Sequence, residues 1–374
     1  MIIYWIIVVS VLVLGFLMPQ EGSEKKQYVL IMFFLHAFVS GCKDSNLTGD
    51  LIKYKYNYLN LYREHRLFSS YFFGSWRNAL WAILNKVIGI ISDYNYQIFL
   101  IVIAIITQYC VARFVLKYSS RPWMSYLVWN CLSLYFYGFH QIKQALAMAI
   151  LLLAVEGLFE DNVIKYYIGV TIAGLIHAPA FLYLPMYWFV RQKMSRRVLS
   201  IYIISAGLAY IFRARVVSFM ANIYYDEGTA QELLSQEGSA FGTKFFVILL
   251  MLLVGLIIKG LDDVVFRKAF LLIGVAAVLQ TGASYDNIFT RYADYFLQLS
   301  IVYIPLLCYD RRGFINNNES GNVTRIIQLD DNSRDTFILA LVLVLLAWFY
   351  LTVFHNVSAV GVNSILKYKF FWQT

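Results

Sequence analysis

The sequence predicts an all-α polytopic integral membrane protein, because it is strongly apolar and its apolar residues stand in long continuous runs. Of its 374 residues, 60% are hydrophobic and only 14% are charged, and the mean hydropathy is +0.63. A soluble globular domain has about 25% charged residues, so this chain lies well outside that class. Runs of roughly 20 mostly apolar residues are long enough to cross a bilayer as helices.

About twelve apolar runs predict transmembrane helices. They lie near residues 2–18, 27–41, 98–116, 123–138, 141–159, 163–177, 179–191, 198–212, 244–258, 266–281, 291–309 and 336–354. The segment 76–92 is interrupted by Arg77, Asn85 and Lys86, and it predicts an amphipathic helix on the membrane surface. If this segment spans instead, the topology of the first third inverts. We expect a single integral domain over residues 1–374.

Basic residues between the runs orient these helices, since cytoplasmic loops carry an excess of lysine and arginine. The basic loops 191–197, 259–268 and 310–335 are therefore assigned to the cytoplasm. The helix count then places two larger loops, about 42–97 and 213–243, on the external side. The first of these is itself basic, which indicates either an anion-binding loop or a different topology there.

Composition also bears on the partners of the protein. The net charge is +9, but no nucleic-acid-binding motif is present, and basic loops are usual in membrane proteins, so we expect no nucleic-acid partner. The four cysteines are scattered without metal-ligand spacing and fit buried structural roles. The sequence has no phosphate-binding loop and no metal motif, so no metal and no cofactor are expected.

The first candidate site follows the second apolar run. Lys43 and Asp50 stand beside glycines that permit tight turns, and tyrosines at 54, 58 and 62 share one helical face. Asp50 is either a helix cap or a general base. Tyr54 and its two neighbours form either a packed face or an aromatic platform for sugar rings.

Three further candidates stand where apolar runs end, and the helix count places them all on the external side. Lys143 and Gln144 open one run, with His140 one turn before; Lys143 either snorkels to the interface or binds phosphate at a helix N-terminus. His177 closes another run and is either a core residue or a functional group. Ionisable residues in or beside membrane segments are costly, which makes them functional hypotheses by default.

Arg291 opens the last of these runs, followed by Asp294 and Tyr295. The guanidinium group offers a planar fork for phosphate oxygens, and the alternative is an ion pair with Asp294 within the helix. If the external ends meet, these residues form one cationic site with a nearby carboxylate and imidazole. We therefore predict that Lys43, Asp50, Lys143, His177 and Arg291 converge.

These groups occur in the order of a known family pattern. The matching segments are Gly41-Cys-Lys43-Asp44, Thr48-Gly49-Asp50 with Tyr54, Lys143-Gln144-Ala-Leu-Ala147, Ile176-His177-Ala-Pro-Ala180 and Arg291-Tyr-Ala-Asp-Tyr295. The pattern resembles the EpsG-type branch of Wzy polymerases, which polymerise repeat units of O-antigen lipopolysaccharide, capsule and exopolysaccharide. It covers roughly residues 28 to 300. Where the family has two early arginines, this chain has Lys43 and Lys143.

The resemblance implies a metal-independent glycosyltransferase in a bacterial cytoplasmic (inner) membrane. It would transfer a growing glycan from undecaprenyl diphosphate to a lipid-linked repeat unit at the external face. Asp50 or His177 would be the catalytic base. The residues that would bind pyrophosphate or glycan are Lys43, Tyr54, Lys143, Gln144, Arg291 and Tyr295.

The expected partners are the undecaprenyl-diphosphate-linked oligosaccharide and membrane lipid, and a chain-length regulator protein is a further candidate. Two other functions fit the sequence, a flippase or transporter for the same lipid-linked sugar and a membrane O-acyltransferase that would use His177. A flippase would more often show inverted repeats and charges near the bilayer midplane, whereas the charges here stand at helix ends.

Overall fold

The computed structural model describes residues 2–63, 78–192, 195–213, 215, 243–284, 288–309, 329–352 and 367–373. Within these residues the regular elements are all helices, and the one piece of β-type pairing is an isolated bridge between Lys43 and Phe370. The all-α prediction is therefore confirmed. The described chain divides into two compact units, Met1–Tyr187 with Asp335–Thr374, and Trp188–Arg334. The expectation of one domain over the whole chain stays a prediction.

The first unit contains most of the helices. They are α1 (Ile2–Leu17), α2 (Gly22–Gly41), α3 (Gly49–Arg63), α4 (Ala79–Ile91), α5 (Tyr96–Tyr118), α6 (Pro122–Cys131), α7 (Tyr137–His140), α8 (Ile142–Phe159), α9 (Val163–Ile176) and a 3₁₀ helix (Ala178–Tyr183). The short helix α10 (Met186–Phe189) contains the boundary between the units. The second unit contains α11 (Arg196–Ile211), α12 (Thr243–Ile258), α13 (Val264–Gln280), a 3₁₀ turn (Thr281–Ser284), α14 (Ile288–Leu297) and α15 (Ser300–Cys308). Helix α16 (Asp331–Tyr350) and a 3₁₀ turn (Phe371–Gln373) follow.

Four helices are long and apolar enough to cross a membrane, namely Tyr96–Tyr118, Ile142–Phe159, Val264–Ala283 and Asp331–Tyr350. Five shorter apolar helices accompany them, Ile2–Leu17, Ala79–Ile91, Val163–Ile176, Arg197–Leu208 and Lys244–Ile258. These helices are typical of a membrane protein, but the predicted number of twelve spans is not confirmed.

Three predicted spans are each divided into two shorter pieces. The run 123–138 ends as α6 at Cys131, where Ser133 takes a left-handed φ of 63° that a helix cannot contain, and α7 follows. The run 179–191 is a 3₁₀ helix followed by α10, with Pro185 between them. Proline interrupts a helix because it lacks the amide donor and clashes with the preceding turn. The run 291–309 is α14 and α15, separated by a turn at 298–299.

Most of the ambiguous segment 76–92 forms helix α4, whereas residues 76 and 77 lie outside the described part. Its polar residues Asn85 and Lys86 are buried against the protein. Its exposed side is apolar, formed by Ile83, Val87, Ile90 and Ile91. The helix is therefore amphipathic, as predicted, and its apolar face is turned outward. Its position relative to the bilayer stays a prediction. Most of the second predicted external loop, 213–243, lies outside the described residues.

In the first unit, helices α2 and α5 run antiparallel in close contact. Near the last turn of α2, the amide of Gln97 donates to the carbonyl of Gly41 at 2.7 Å. At the opposite end of the pair, the ammonium group of Lys25 donates to the carbonyl of Ser119 at 2.8 Å. A side-chain β-carbon at Gly41 would lie 3.2 Å from the Cα of Ile101, so glycine lets the two backbones approach.

Helices α8 and α9 form a second antiparallel pair through a short connection. Gly157 faces the backbone of Tyr166, where a β-carbon would lie 2.7 Å from the amide nitrogen. Three residues after Tyr166, Gly169 of α9 faces Ala154 of α8, where an added β-carbon would lie 2.7 Å from the β-carbon of Ala154. These two contacts fix the register of the pair. Helix α5 runs parallel to α8, since Arg113 pairs with Glu156 and, four residues later in each helix, Lys117 pairs with Glu160.

These directions give the first unit two ends. The first, called here the Lys43 end, holds the end of α2 and the starts of α5 and α8. The second, called the Glu160 end, holds an ion network that joins α5, α8 and α9. Its members are Arg113, Lys117, Glu156, Glu160 and Lys165.

Glu156 is the centre of that network. Its side chain is 0% exposed and accepts two bonds from the guanidinium of Arg113, at 3.2 and 3.3 Å, and one from Lys165 at 2.7 Å. Glu160 bonds to Lys117 and Lys165. Burial would raise the pKa of Glu160, yet hydrogen bonds from Lys117 and Lys165 lower it to about 2. The Glu160 carboxylate therefore stays ionised. The ion pairs of the network link α5, α8 and α9 at this end.

In the second unit, α13 packs against α12, α14 and α15. The ring of Phe266 stacks on that of Tyr303 with 4.4 Å between centroids, and the Tyr303 hydroxyl donates to the carbonyl of Met251 at 3.0 Å. Lys244 of α12 forms an ion pair with the buried Asp294 of α14.

The network at the Glu160 end can be tested by removing its central charge. Glu156→Gln keeps the side-chain shape but leaves Arg113 and Lys165 without their buried partner. Breaking a fully buried pair costs about 3–5 kcal/mol, and we expect less here because the Arg113 side chain is 48% exposed. The measurement is the thermal unfolding midpoint of the detergent-purified protein. Glu160→Gln is the control, and it should lower the midpoint less because Glu160 is 35% exposed. Equal effects would contradict the central role of Glu156.

Candidate functional site

Lys43 lies in the short loop between α2 and α3 and is 1% exposed. Its ammonium group donates to the carbonyl of Ser40 at 2.5 Å and lies 6.0 Å from the ring centroid of Phe139. Burial lowers the pKa of Lys43 to about 7, against a small opposing effect of the neighbouring Cys42. A buried ammonium group with one carbonyl partner keeps hydrogen-bonding capacity, because it has three donors.

Asp50 stands in the first turn of α3 but does not cap it. The cap is Thr48, whose hydroxyl oxygen accepts from the amide of Leu51 at 3.2 Å. Asp50 is half-buried, and within the described residues its carboxylate makes no hydrogen bond or ion pair. A negative charge in the first turn is favoured by the positive end of the helix dipole. The half-buried carboxylate is accessible to a ligand.

The tyrosines that follow have different surroundings. Tyr54 is half-buried and meets Trp81 edge-on, with 5.8 Å between ring centroids. Tyr58 is fully buried, and its hydroxyl bonds to that of Ser92 at 3.1 Å. Tyr58 therefore belongs to a packed face and not to an open platform. The side chain of Tyr62 lies outside the described residues, so a sugar platform is a hypothesis for Tyr54 alone.

Lys143 and Gln144 occupy the first turn of α8. Lys143 is half-buried and donates to the side-chain oxygen of Asn78 at 3.0 Å, just before α4 begins. Gln144 is buried, and its amide nitrogen lies 3.7 Å from the sulfur of Met148. His140, one turn earlier, contacts the carbonyl of Phe136 through Nδ1 at 2.8 Å. Lys143 therefore bridges the starts of two helices instead of extending alone to the interface.

His177 is the residue at which α9 ends and the following 3₁₀ helix begins. It is half-buried, with an extended backbone at φ −147° and ψ 110°. Continuing the register set by Gly157 and Gly169 places the end of α9, at His177, level with Leu146 along the axis of α8, one helical turn beyond Lys143. The four predicted residues of the first unit, Lys43, Asp50, Lys143 and His177, thus all lie at the Lys43 end.

A small cavity of about 10 Å³ opens beside Lys43. It is lined by Lys43 and by the residues on either side of Lys143 and Gln144. Its lining also includes Gln108 of α5, which our reading of the sequence missed. Gln108 is buried, and its side-chain oxygen has no hydrogen-bond partner among the described residues. The signal that could have revealed it is a glutamine within an otherwise apolar run.

The remaining predicted residues, Arg291 and Tyr295, belong to α14 in the second unit. Arg291 is exposed, and Tyr295 is fully buried. Asp294 lies between them in the chain and forms an ion pair with Lys244 of α12. The carboxylate that the sequence suggested as a partner for Arg291 therefore pairs with a different cation. The prediction that Arg291 shares a site with the residues of the first unit stays a prediction.

Comparison with known proteins decides the family. The family model described as EpsG matches residues 26–318, most of the chain. The chain belongs to the EpsG family. The matched range contains every residue singled out as a site candidate. Membership indicates a polysaccharide-related membrane enzyme, so the resemblance seen in the sequence is confirmed. No curated protein and no solved structure matches the chain.

The burial of Lys43 in this EpsG family member predicts a pH-dependent stability. Its folded pKa of about 7 lies below the ordinary value of 10.5, so at pH 8–9 the unfolded chain binds a proton that the folded chain releases. The free energy of unfolding must therefore rise with pH between about pH 7 and pH 10.5. Below about pH 7 the folded protein bears the full cost of burying the charged ammonium group. Lys43→Met should remove this rise. The measurement is the thermal midpoint in detergent at pH 6.5 and pH 9, and an equal rise in both proteins would contradict it.

Proposed function

We propose that this protein is a polysaccharide repeat-unit polymerase, a metal-independent glycosyltransferase. It transfers a growing glycan from undecaprenyl diphosphate to a lipid-linked repeat unit at the external face of the bacterial cytoplasmic membrane. The observation that carries the proposal is the position of Lys43, Asp50, Lys143 and His177 at one end of one helical unit. Family membership supports the same class of chemistry.

The proposed reaction exchanges one bond for another at the anomeric carbon of the donor glycan. The bond between the anomeric carbon of the donor glycan and the diphosphate oxygen breaks, and undecaprenyl diphosphate leaves with the electron pair. A hydroxyl oxygen of the acceptor sugar forms the new glycosidic bond and gives up its proton. Lys43 and Lys143 stabilise the negative charge that develops on the leaving diphosphate. The N-terminus of α8 adds its own positive end beside Lys143.

Asp50 is the preferred acceptor of that proton. Its carboxylate is accessible and makes no hydrogen bond or ion pair within the described residues, so it can bond to an acceptor hydroxyl. His177 is the alternative, because an imidazole also accepts a proton at neutral pH. Two further side chains suit a sugar. The half-buried Tyr54 supplies a ring face, and the buried Gln108 supplies a hydrogen-bonding oxygen.

Deletion of the gene separates this function from its rivals. A polymerase mutant is expected to keep surface glycan with one repeat unit on its anchor. Loss of all repeat units would instead favour a flippase, and normal chains lacking acyl groups would favour an O-acyltransferase. The readout is the glycan ladder on a gel, with the wild-type gene supplied on a plasmid as the control.

Substitution of the two candidate bases assigns the proton acceptor. Asp50→Asn keeps the shape and removes the basic carboxylate, so chain growth should fall by at least about a hundredfold, the lower range for general base catalysis. His177→Asn should retain measurable growth. Both variants are compared at equal membrane abundance by ladder length. Normal growth in Asp50→Asn with none in His177→Asn would exchange the two roles.

A further inference from the structure

The segment 367–373 lies directly on the loop that carries Lys43. Phe370 forms an antiparallel bridge with Lys43. The amide of Asp44 donates to the carbonyl of Lys369 at 2.9 Å, and the amide of Phe371 donates to the carbonyl of Cys42 at 3.0 Å. Both chain neighbours of Lys43 are thus tied to the same short segment. The segment lies outside residues 26–318, so the family match does not account for it.

Side chains secure the segment on both sides of the bridge. The hydroxyl of Tyr368 donates to the carbonyl of Val39 at 2.9 Å. The Tyr368 ring lies edge-on to those of Tyr4 and Phe139, with centroids 6.0 Å apart in each case. The ammonium group of Lys43 lies 6.0 Å from the centroid of the Phe139 ring. The segment is therefore packed into the same aromatic cluster that surrounds the lysine.

The loop between α2 and α3 has little regular structure of its own to hold it. Residues 42–48 form a bridge position, turns and bends between two helices. A lysine side chain has four rotatable bonds, so its ammonium position is defined only if its backbone is fixed. The two hydrogen bonds to the segment fix the backbone immediately before and after Lys43. Without them, the peptide groups on either side would be able to rotate.

We infer that residues 367–373 act as a strap that positions Lys43 for the diphosphate of the substrate. The inference rests on the proposed function for the role of Lys43, but the contact itself does not. Misplacing a charged group by about 1 Å can cost a hundredfold in rate, so holding Lys43 matters as much as its charge. The strap residues are positioning residues and have no direct contact with substrate.

The backbone bond of Phe371 allows a matched test. Phe371→Pro removes the amide that donates to Cys42, whereas Phe371→Ala keeps that amide and shortens a side chain that is 40% exposed. Proline is compatible with this position, because residue 371 is the first of a 3₁₀ turn and Phe370 before it is in a bridge. The pair of variants therefore differs mainly in one hydrogen bond.

Two measurements are made on membranes at equal protein abundance. The first is modification of Lys43 by an amine-reactive reagent, followed by mass spectrometry, with the exposed Lys53 as the internal reference. The second is glycan ladder length. Phe371→Pro should raise Lys43 modification about fivefold, the factor that corresponds to one lost hydrogen bond of about 1 kcal/mol. It should also shorten the ladder, and Phe371→Ala should do neither.

Tyr368→Phe is the second variant, used in case the proline variant fails to accumulate, and it removes only the bond to Val39. It should raise Lys43 modification and shorten the ladder. Unchanged modification of Lys43, or raised modification with ladders of normal length, would contradict the positioning role of the strap. A shortened ladder with Lys43 still protected would also overturn it. The Lys43→Ala variant tests the proposed function separately from the strap. Normal ladders in that variant would refute the proposed role of Lys43, whatever the result for the strap.

Discussion

The close approach of helices α8 and α9 is the constraint on which the arrangement of the first unit depends. Apolar surfaces give helices little preference for one register over another inside a membrane, and small residues that permit backbone contact supply it. Gly157 and Gly169 do this here, one against Tyr166 and the other against Ala154. The register that they set determines that His177 lies beside the first turns of α8. A larger residue at either position would separate the two helices and disturb this register.

The two ends of this unit use charge in opposite ways. At the Glu160 end, three cations and two carboxylates are arranged so that each charge meets an opposite one. At the Lys43 end, Lys43 and Lys143 are bonded to a neutral carbonyl and a neutral amide oxygen. Neutral acceptors satisfy a donor without cancelling its charge. The positive potential at this end therefore remains available to an anion, which is the property that a diphosphate leaving group requires.

In the proposed function, burial makes Lys43 more effective than an exposed lysine would be. An ammonium group with little water around it interacts more strongly with an approaching diphosphate, since screening is weaker. The same burial lowers its pKa to about 7, so the charge is established fully when the anion binds beside it. The segment 367–373 contributes to this burial, and it links residues more than three hundred positions apart in the chain. Such a link couples the site to parts of the protein that the family match does not cover.

The sequence by itself determined the class of the protein and the identity of most candidate residues. Continuous apolar runs are a local property, so they predict helices without knowledge of packing, and the described residues of these runs are mostly helical. The breaks at Ser133 and at residues 298–299 were missed, because a short turn leaves the average hydropathy of a run unchanged. The family motifs were also legible, since each is a short local pattern.

Only the tertiary structure decided which side chains have partners. The sequence allowed Asp50 to be a helix cap, and the hydrogen bond of Thr48 excludes that. It allowed Tyr58 to face sugar, and its burial against Ser92 and Phe99 excludes that too. The segment 367–373 gave no clear signal in the sequence, because its importance comes from residues far away in the chain. Contacts of this kind depend on the register and direction of whole helices, which no local pattern specifies.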